Sequence, residues 1–282
     1  MNTGMRIYEP IVGIEGVASG GTAYIRLPQN RRHLMARLFC SATHVVGGTP
    51  TPTTNPADII ESITHLVRGR EIRVESVADI IAQREFYKLP ADASNALSLY
   101  YAEPWRADVL DEVITAWPMF DGEGEVVIKA KLKAGLTNPA ISAINVYDGN
   151  AARVNGQIVK QVVKRFTVNK NLGTVGDFAD NLPINWPILG IFLKGEAGKT
   201  IDKVKVTVNN TVVVHEMTRQ ENAAFLSDYN LDASKFHYPL RFDMEGQLGR
   251  RLEGISSLNV RVWSSAAQNV EAVVECVAPD YI

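Results

Sequence analysis

The stretch Asp202-Lys203-Val204-Lys205-Val206-Thr207-Val208-Asn209-Asn210-Thr211-Val212-Val213-Val214-His215-Glu216 decides the fold. From Lys203 to Val208 polar and apolar residues alternate strictly, which lines one face of a half-buried strand with valine. Asn209-Asn210 breaks the run, and β-branched residues resume at Val212. Asparagine tolerates the positive φ that a two-residue turn demands, so the stretch reads as a β-hairpin. The same pattern stands at Glu61–Glu75, an offset of 141, where Arg68-Gly69 separates Ile63-Thr64-His65-Leu66-Val67 from Glu71-Ile72-Arg73-Val74. Half of the 282 residues is also 141. The hairpin therefore belongs to a unit present twice.

Further matches extend the unit on both sides. Leu27-Pro28-Gln29-Asn30 returns as Leu182-Pro183-Ile184-Asn185, an offset of 155. After each hairpin, Ser76 with Asp79 and Thr218 with Glu221 have the spacing of a capping box. Helical periodicity follows in Val77, Ile80, Ile81 and Tyr87, and in Ala224, Phe225 and Tyr229. Both helices leave through Tyr-x-Leu, at Tyr87-Lys88-Leu89 and Tyr229-Asn230-Leu231. An alternating strand comes next, Leu97, Leu99 and Tyr101 matching Leu240, Phe242 and Met244. A strand ending in tryptophan is expected at Val113–Trp117 and Asn259–Trp263, and a last pair at Glu125–Ala130 and Glu271–Cys276.

The fall of the offset from 155 to 141 places 14 extra residues in the first half, and Thr43–Pro56 has that length. Its Gly47-Gly48-Thr49-Pro50-Thr51-Pro52-Thr53-Thr54 centre reads as a surface loop. The boundary between the halves falls at Tyr147-Asp148-Gly149-Asn150. The expected domains are residues 1–149, carrying the 43–56 insertion, and residues 150–282. Each half shows about eight short strands and one short helix. The fold class is all-β, two tandem eight-stranded jelly rolls.

Composition narrows the function. A hydrophobic content of 46% with 21% charged residues is that of a globular chain, and a net charge of −2 does not mark a nucleic-acid binder. No apolar run approaches the length that spans a bilayer, the N-terminus shows no secretory pattern, and two cysteines without a disulfide framework make the reducing cytoplasm the expected place of synthesis. Cys40 and Cys276 sit in separate apolar runs and read as buried free thiols.

The residues that carry chemistry elsewhere are dispersed. His33, His44, His65, His215 and His237 form no metal-binding pair, and His65 aligns with Val206 as a core histidine. Asp121-Gly122-Glu123-Gly124-Glu125, with Asp108, Asp111 and Glu112 before it, is the one place where structural calcium enters, and its spacing is not that of an EF-hand. Nucleophile elbow, phosphate loop, dinucleotide fingerprint and C-x-x-C are all missing. No catalytic, cofactor-binding or metal residue is assigned. Arg153, Lys160, Lys164, Arg165 and Lys170 lie in a segment without acids. It reads as a face toward anionic lipid or nucleic acid, or, more plainly, as the solvated side of a strand or a contact between domains. Asn209-Asn210-Thr211 matches a glycosylation sequon but serves as the turn. Trp105, Trp117, Trp186 and Trp263 are expected in the core.

The Leu-Pro strand, the charged hairpin Glu61–Glu75, the helix from Val77 to Tyr87 and the second copy of the unit together resemble the double jelly-roll major capsid proteins. The likeness is greatest to the coat protein of the corticoviruses, tailless bacteriophages with an internal membrane. It covers almost the whole chain in the order of elements. The resemblance implies a structural virion protein of an icosahedral double-stranded DNA virus, without enzymatic activity. It also implies a homotrimer whose six rolls form a hexagonal capsomer, contacts with neighbouring capsomers and a vertex protein, and an underlying membrane. Lipid or membrane proteins would then be partners for the basic segment and for Arg6, Arg26, Arg31 and Arg32. Two other readings compete. A tandem β-sandwich carbohydrate-binding or adhesin module would carry a secretory signal and a sugar site. A two-domain jelly-roll hydrolase or metalloenzyme would need a histidine or carboxylate constellation.

Overall fold

The computed structural model describes residues 6–46, 49–106, 112, 115–119, 124–148, 153–154, 157–158, 162–179, 182–243 and 251–278. The chain divides into two compact units, Met1–Ile81 with Pro90–Val162 and Pro279–Ile282, and Ala82–Leu89 with Val163–Ala278.

Unit 1 is a sandwich of two antiparallel sheets. In one, β1 (Ile7–Ile11), β10 (Leu136–Asp148), β3 (Arg31–Val46) and β7 (Ala96–Tyr100) lie side by side. The other has the order β2 (Thr22–Arg26), β9 (Val126–Leu132), β5 (Ile60–Val67) and β6 (Arg70–Ser76). Alternate side chains point inward, so Ala23 and Ile25, Ala36 and Leu38, Ile63 and Val67, and Ile128 and Ala130 share one core. Apart from the β5–β6 hairpin, these eight strands cross between the sheets in turn, which makes the sandwich a jelly roll.

Unit 2 repeats this plan. Its sheets have the orders β13 (Val162–Leu172), β20 (Gln268–Ala278), β15 (Ile188–Lys194), β18 (Tyr238–Arg241), and β14 (Val175–Ala179), β19 (Leu258–Ser264), β16 (Ile201–Val208), β17 (Val212–Thr218). Ile191, Leu193, Val204, Val206, Val260, Val262, Ala272 and Val274 fill its core. A two-stranded ribbon, β11 (Arg153–Val154) with β12 (Gln157–Ile158), precedes β13.

Both predicted hairpins form, and both turns have the expected backbone. Arg68 and Gly69 have φ of 52° and 77°, Asn209 and Asn210 of 50° and 62°. Both helices are present, α2 (Val77–Phe86) and α3 (Arg219–Asp228). Ser76 Oγ accepts from the Asp79 amide at 3.1 Å, and Thr218 with Glu221 forms the complete capping box. Each Tyr-x-Leu exit turns through a left-handed middle residue, Lys88 at φ 50° and Asn230 at φ 60°.

Three expectations are corrected. The insertion is not a plain loop: Thr49–Thr53 forms β4, which pairs back on the end of β3 from Ala42 to Val46, and Asn55 then caps a short helix α1 (Pro56–Ile59). With proline at alternate positions 50 and 52, the ladder N–H groups fall to the threonines. The outward edge then lacks donors at the prolines, which discourages a further strand. Trp117 opens β8 (Trp117–Met119) rather than closing a strand, and Val113 and Ile114 lie outside the described residues. The last two strand matches are out of step. β9 lies between β2 and β5 and is the counterpart of β19, which lies between β14 and β16; β10 is the counterpart of β20. Period-two apolar strands look alike in sequence, and only their partners tell them apart.

Candidate functional site: paired charge and open faces

The histidines are absorbed by packing. His33 is fully buried, with Nδ1 3.0 Å from Asn145 Oδ1, and burial holds its pKa down at about 4. His65, on the core side of β5 as its alignment with Val206 implies, stands edge-on to Tyr101 and Trp117, with Nε2 3.6 Å from Glu75. His215 Nε2 lies 2.9 Å from the Tyr238 hydroxyl, and burial brings it too to about 4. His44 lies on β3 and His237 before β18, far apart in the chain order of the sheets. Among the described residues no group of three or more His, Cys, Asp or Glu side chains is placed to hold a metal. Asp108, Asp111 and Asp121–Glu123 lie outside the described residues; Glu112 pairs with Arg6 and Glu125 with Arg26. Both cysteines are buried free thiols, and burial raises each to about 12, which leaves them unreactive.

The arginines and lysines proposed for lipid are engaged within the chain. Arg6 meets Glu112 at 2.5 Å and Arg26 meets Glu125. Arg31 lies 3.6 Å from Glu9 and over the Tyr147 ring, and Arg32 forms a buried bidentate pair with Asp148 at 2.7 and 2.5 Å. In the basic segment Lys164 is buried with its ammonium 4.9 Å from the Trp186 ring centre, Arg165 binds Glu275, and Lys170 donates to the Asp177 carbonyl. Lys160 and the side chain of Arg153 are not described. Lys164, Arg165 and Lys170 of β13 thus make contacts inside unit 2.

The charged centre that sequence reading missed lies in unit 2. Glu275, on the outward side of β20, is 1% exposed; it accepts from Arg241 at 2.5 Å and from Arg165 at 2.9 Å. Arg241 also binds Asp243 at 2.6 Å. Gln83 Nε2 donates to Glu275 at 2.6 Å, while its Oε1 accepts from Arg165. Burial alone would raise the Glu275 carboxyl, but the Arg165 and Arg241 guanidiniums override it and hold the pKa at about 2. Phe86 packs edge-on to Phe192 beside this centre, and Tyr87 lies under the Arg241 guanidinium. Each of these charges has an opposite partner inside unit 2.

Of the tryptophans, Trp117 is fully buried and stacked on Tyr101, with centroids 4.1 Å apart. Trp186 is half-buried against Phe166. Trp263 departs from expectation: it lies half-buried on the outward face of β19 under Lys203.

Two eight-stranded jelly rolls in one chain define a double jelly-roll protein. Family models agree across the chain: the viral coat protein P2 N-terminal domain matches residues 8–148 and the P2 C-terminal domain residues 161–280. The chain belongs to the viral coat protein P2 family, and it is a structural protein of the virion capsid rather than an enzyme. Its fold is similar to that of the major capsid protein P2 from bacteriophage PM2, with 20% identity, a TM-score of 0.80 and 97% of each chain covered. It is also similar to a chain of the atomic structure of Sulfolobus Turreted Icosahedral Virus, at 10% identity and a TM-score of 0.66, covering 99% of this chain and 92% of that one. PBCV-1 VP54, fitted into a reconstruction of the virophage Sputnik, has 8% identity and a TM-score of 0.66, covering 97% and 93%. No protein of curated function matches the chain in sequence.

Proposed function

We propose that the protein is the major capsid subunit of an icosahedral double-stranded DNA virus, assembling as homotrimers that tile a shell over an internal membrane. The observation that carries this reading is the duplication itself: each chain holds two complete rolls of the same strand order. Three such chains supply six rolls. A cyclic trimer of duplicated units offers the near-sixfold outline that a closed shell needs, while letting the two copies differ in their contacts. The differences are present, since among the described residues only unit 1 carries the β4 hairpin and α1. Neighbouring capsomers and a vertex protein are the remaining partners of such a shell. The corticovirus likeness supports the membrane. Light scattering of the purified protein, followed by electron microscopy of concentrated samples, tests the reading. Trimers and hexagonal tiles are expected; a monomer at all concentrations overturns it.

A further inference from the structure

The two sheets that carry the hairpins match residue by residue. His65 pairs with Ile128, and its counterpart Val206 pairs with Val260, so Lys129 of β9 stands where Arg261 stands in β19. In unit 2 one row across the sheet reads Asp177, Arg261, Lys205, Glu216. That row neutralises itself: Arg261 meets Asp177 at 2.8 Å, and Lys205 meets Glu216 at 3.0 Å. Opposite charges on adjacent strands suit an open sheet face.

The matching row of unit 1 reads Tyr24, Lys129, Thr64, Val74. Ala23, Ile25, Ile63, Ile128 and Ala130 beside them point into the core, so these four stand on the outer face. Tyrosine replaces Asp177 and valine replaces Glu216, while the cation stays. The Lys129 ammonium lies 5.9 Å from the Tyr24 ring centre and has no ion pair among the described residues. In the next row Lys131 takes the place of Trp263, and its ammonium donates to the Gly20 carbonyl at 2.5 Å. Glu15, bridged to Tyr24 at the sheet margin, is within electrostatic reach of Arg26. Tyr24 is 37% exposed and Val74 52%. Apolar groups left open around uncompensated cations mark a contact.

The chemistry of the partner follows from what surrounds the charges. A phosphate surface is met by a dense cluster of cations, whereas these lysines are set among tyrosine, valine and the hydroxyls of Thr64 and Ser62. Two copies of this face would bring lysine against lysine, which is repulsive. The matching face of unit 2 has its Asp177 and Glu216 carboxylates engaged already.

We infer that the outward face of β2, β9, β5 and β6 binds a different protein, one that brings carboxylates to Lys129 and Lys131 and apolar side chains to Tyr24 and Val74. The two copies of the unit have diverged to this end, one face neutralising itself and the other left for a partner. The surface lies on unit 1 alone and needs no trimer.

The test uses the full chain and a short fluorescent peptide of glutamate and tyrosine, followed by anisotropy at low salt. Saturation at one site per chain is expected. Tyr24→Asp combined with Val74→Glu copies the neutral row into unit 1. It is expected to weaken binding by about tenfold with unchanged circular dichroism. Lys129→Gln alone is expected to weaken it by about threefold. The reverse exchange, Asp177→Tyr with Glu216→Val, opens the row of unit 2 and is expected to add a second site. Wild-type protein that ignores the peptide, or binds it equally after the first exchange, overturns the proposal. Binding of duplex DNA or phosphatidylglycerol vesicles instead of the peptide, abolished by the first exchange, overturns it in favour of a phosphate surface. Self-association abolished by that exchange gives the face to a second copy and overturns it as well.

Discussion

Lys88 Nζ donates to Asn230 Oδ1 across 3.0 Å, and the two residues are each other's counterparts in the repeat. Each is the left-handed residue that ends its helix, at φ 50° and 60°. The duplication is therefore not only two folds of one kind. Within unit 2 the exit of one copy's helix meets the exit of the other, and Lys235 reaches back to Glu85 at 3.0 Å beside them.

Glu275 is the residue on which this packing turns. Replacing it with Gln leaves Arg241 with Asp243 as its anion and Arg165 facing a neutral group in place of the carboxylate, and Glu275→Ala removes the acceptor that the two arginines share. Breaking a buried pair by removing one member costs about 3–5 kcal/mol. Urea unfolding is expected to show a large fall in midpoint for Glu275→Ala and a smaller one for Glu275→Gln. An unchanged midpoint for both would mean that the ion centre is energetically idle.

Acid is expected to weaken the fold in two stages. His33 and His215 have folded pKa values of about 4, below the ordinary 6.5, because burial disfavours the cation. Their contribution is fully present above pH 6.5. It is lost as the pH falls toward 4, where the unfolded chain takes up protons that the folded chain refuses. Glu275 acts lower: its depressed pKa stabilises the fold above the ordinary carboxylate range and loses that effect as the pH approaches 2. Melting temperature measured from pH 7.5 to 3 should fall first between 6.5 and 4. His33→Gln should flatten that first stage, and an equally steep profile in this variant would remove His33 from the account.

Gly190 lies opposite Glu275 in the β15–β20 pairing. A Cβ there would meet the Leu240 carbonyl oxygen at 2.6 Å and Arg241 Cδ at 2.9 Å. Gly190→Ala must displace either the β18 backbone or the Arg241 side chain, and overpacking of this kind costs about 1–3 kcal/mol. A calorimetric loss of several degrees is expected, and wild-type stability would show that β18 shifts freely.

The hairpin turn offers a local control. Gly69, at φ 77°, has nothing within 4 Å of where a Cβ would stand, so Gly69→Ala costs only backbone strain, roughly 1 kcal/mol. Gly69→Asn should cost less, since asparagine visits this region readily. Equal losses in chemical denaturation would point to a side-chain clash instead of backbone strain.

The local rules were readable because each depends on neighbours in the chain. Lys203–Val208 alternates, Asn209-Asn210 turns, Thr218 and Glu221 cap, and Tyr-x-Leu exits, each set by side-chain direction, backbone sterics or a nearby free N–H. The Thr49–Thr53 strand was hidden because threonine and proline mark loops by composition, while its pairing comes from the overhanging end of β3. The Trp117 and Trp263 match failed for a related reason: the two residues have the same sequence context and different partners, His33 for one and Val175 and Lys203 for the other.

By itself, the sequence determined that the chain is two copies of a β-unit with a hairpin and a capped helix, because periodicity and turn chemistry act over a few residues. Only the tertiary structure decided that β9 answers to β19, that Glu275 on an outward-facing position is buried between two arginines, and that Phe86 is buried in unit 2 while its counterpart Asp228 is exposed. Alternation reports that one face of a strand is apolar. It carries no information on which strand lies beside it, or on what covers the other face, since those contacts join residues distant in the chain, Gln83 and Glu275 among them.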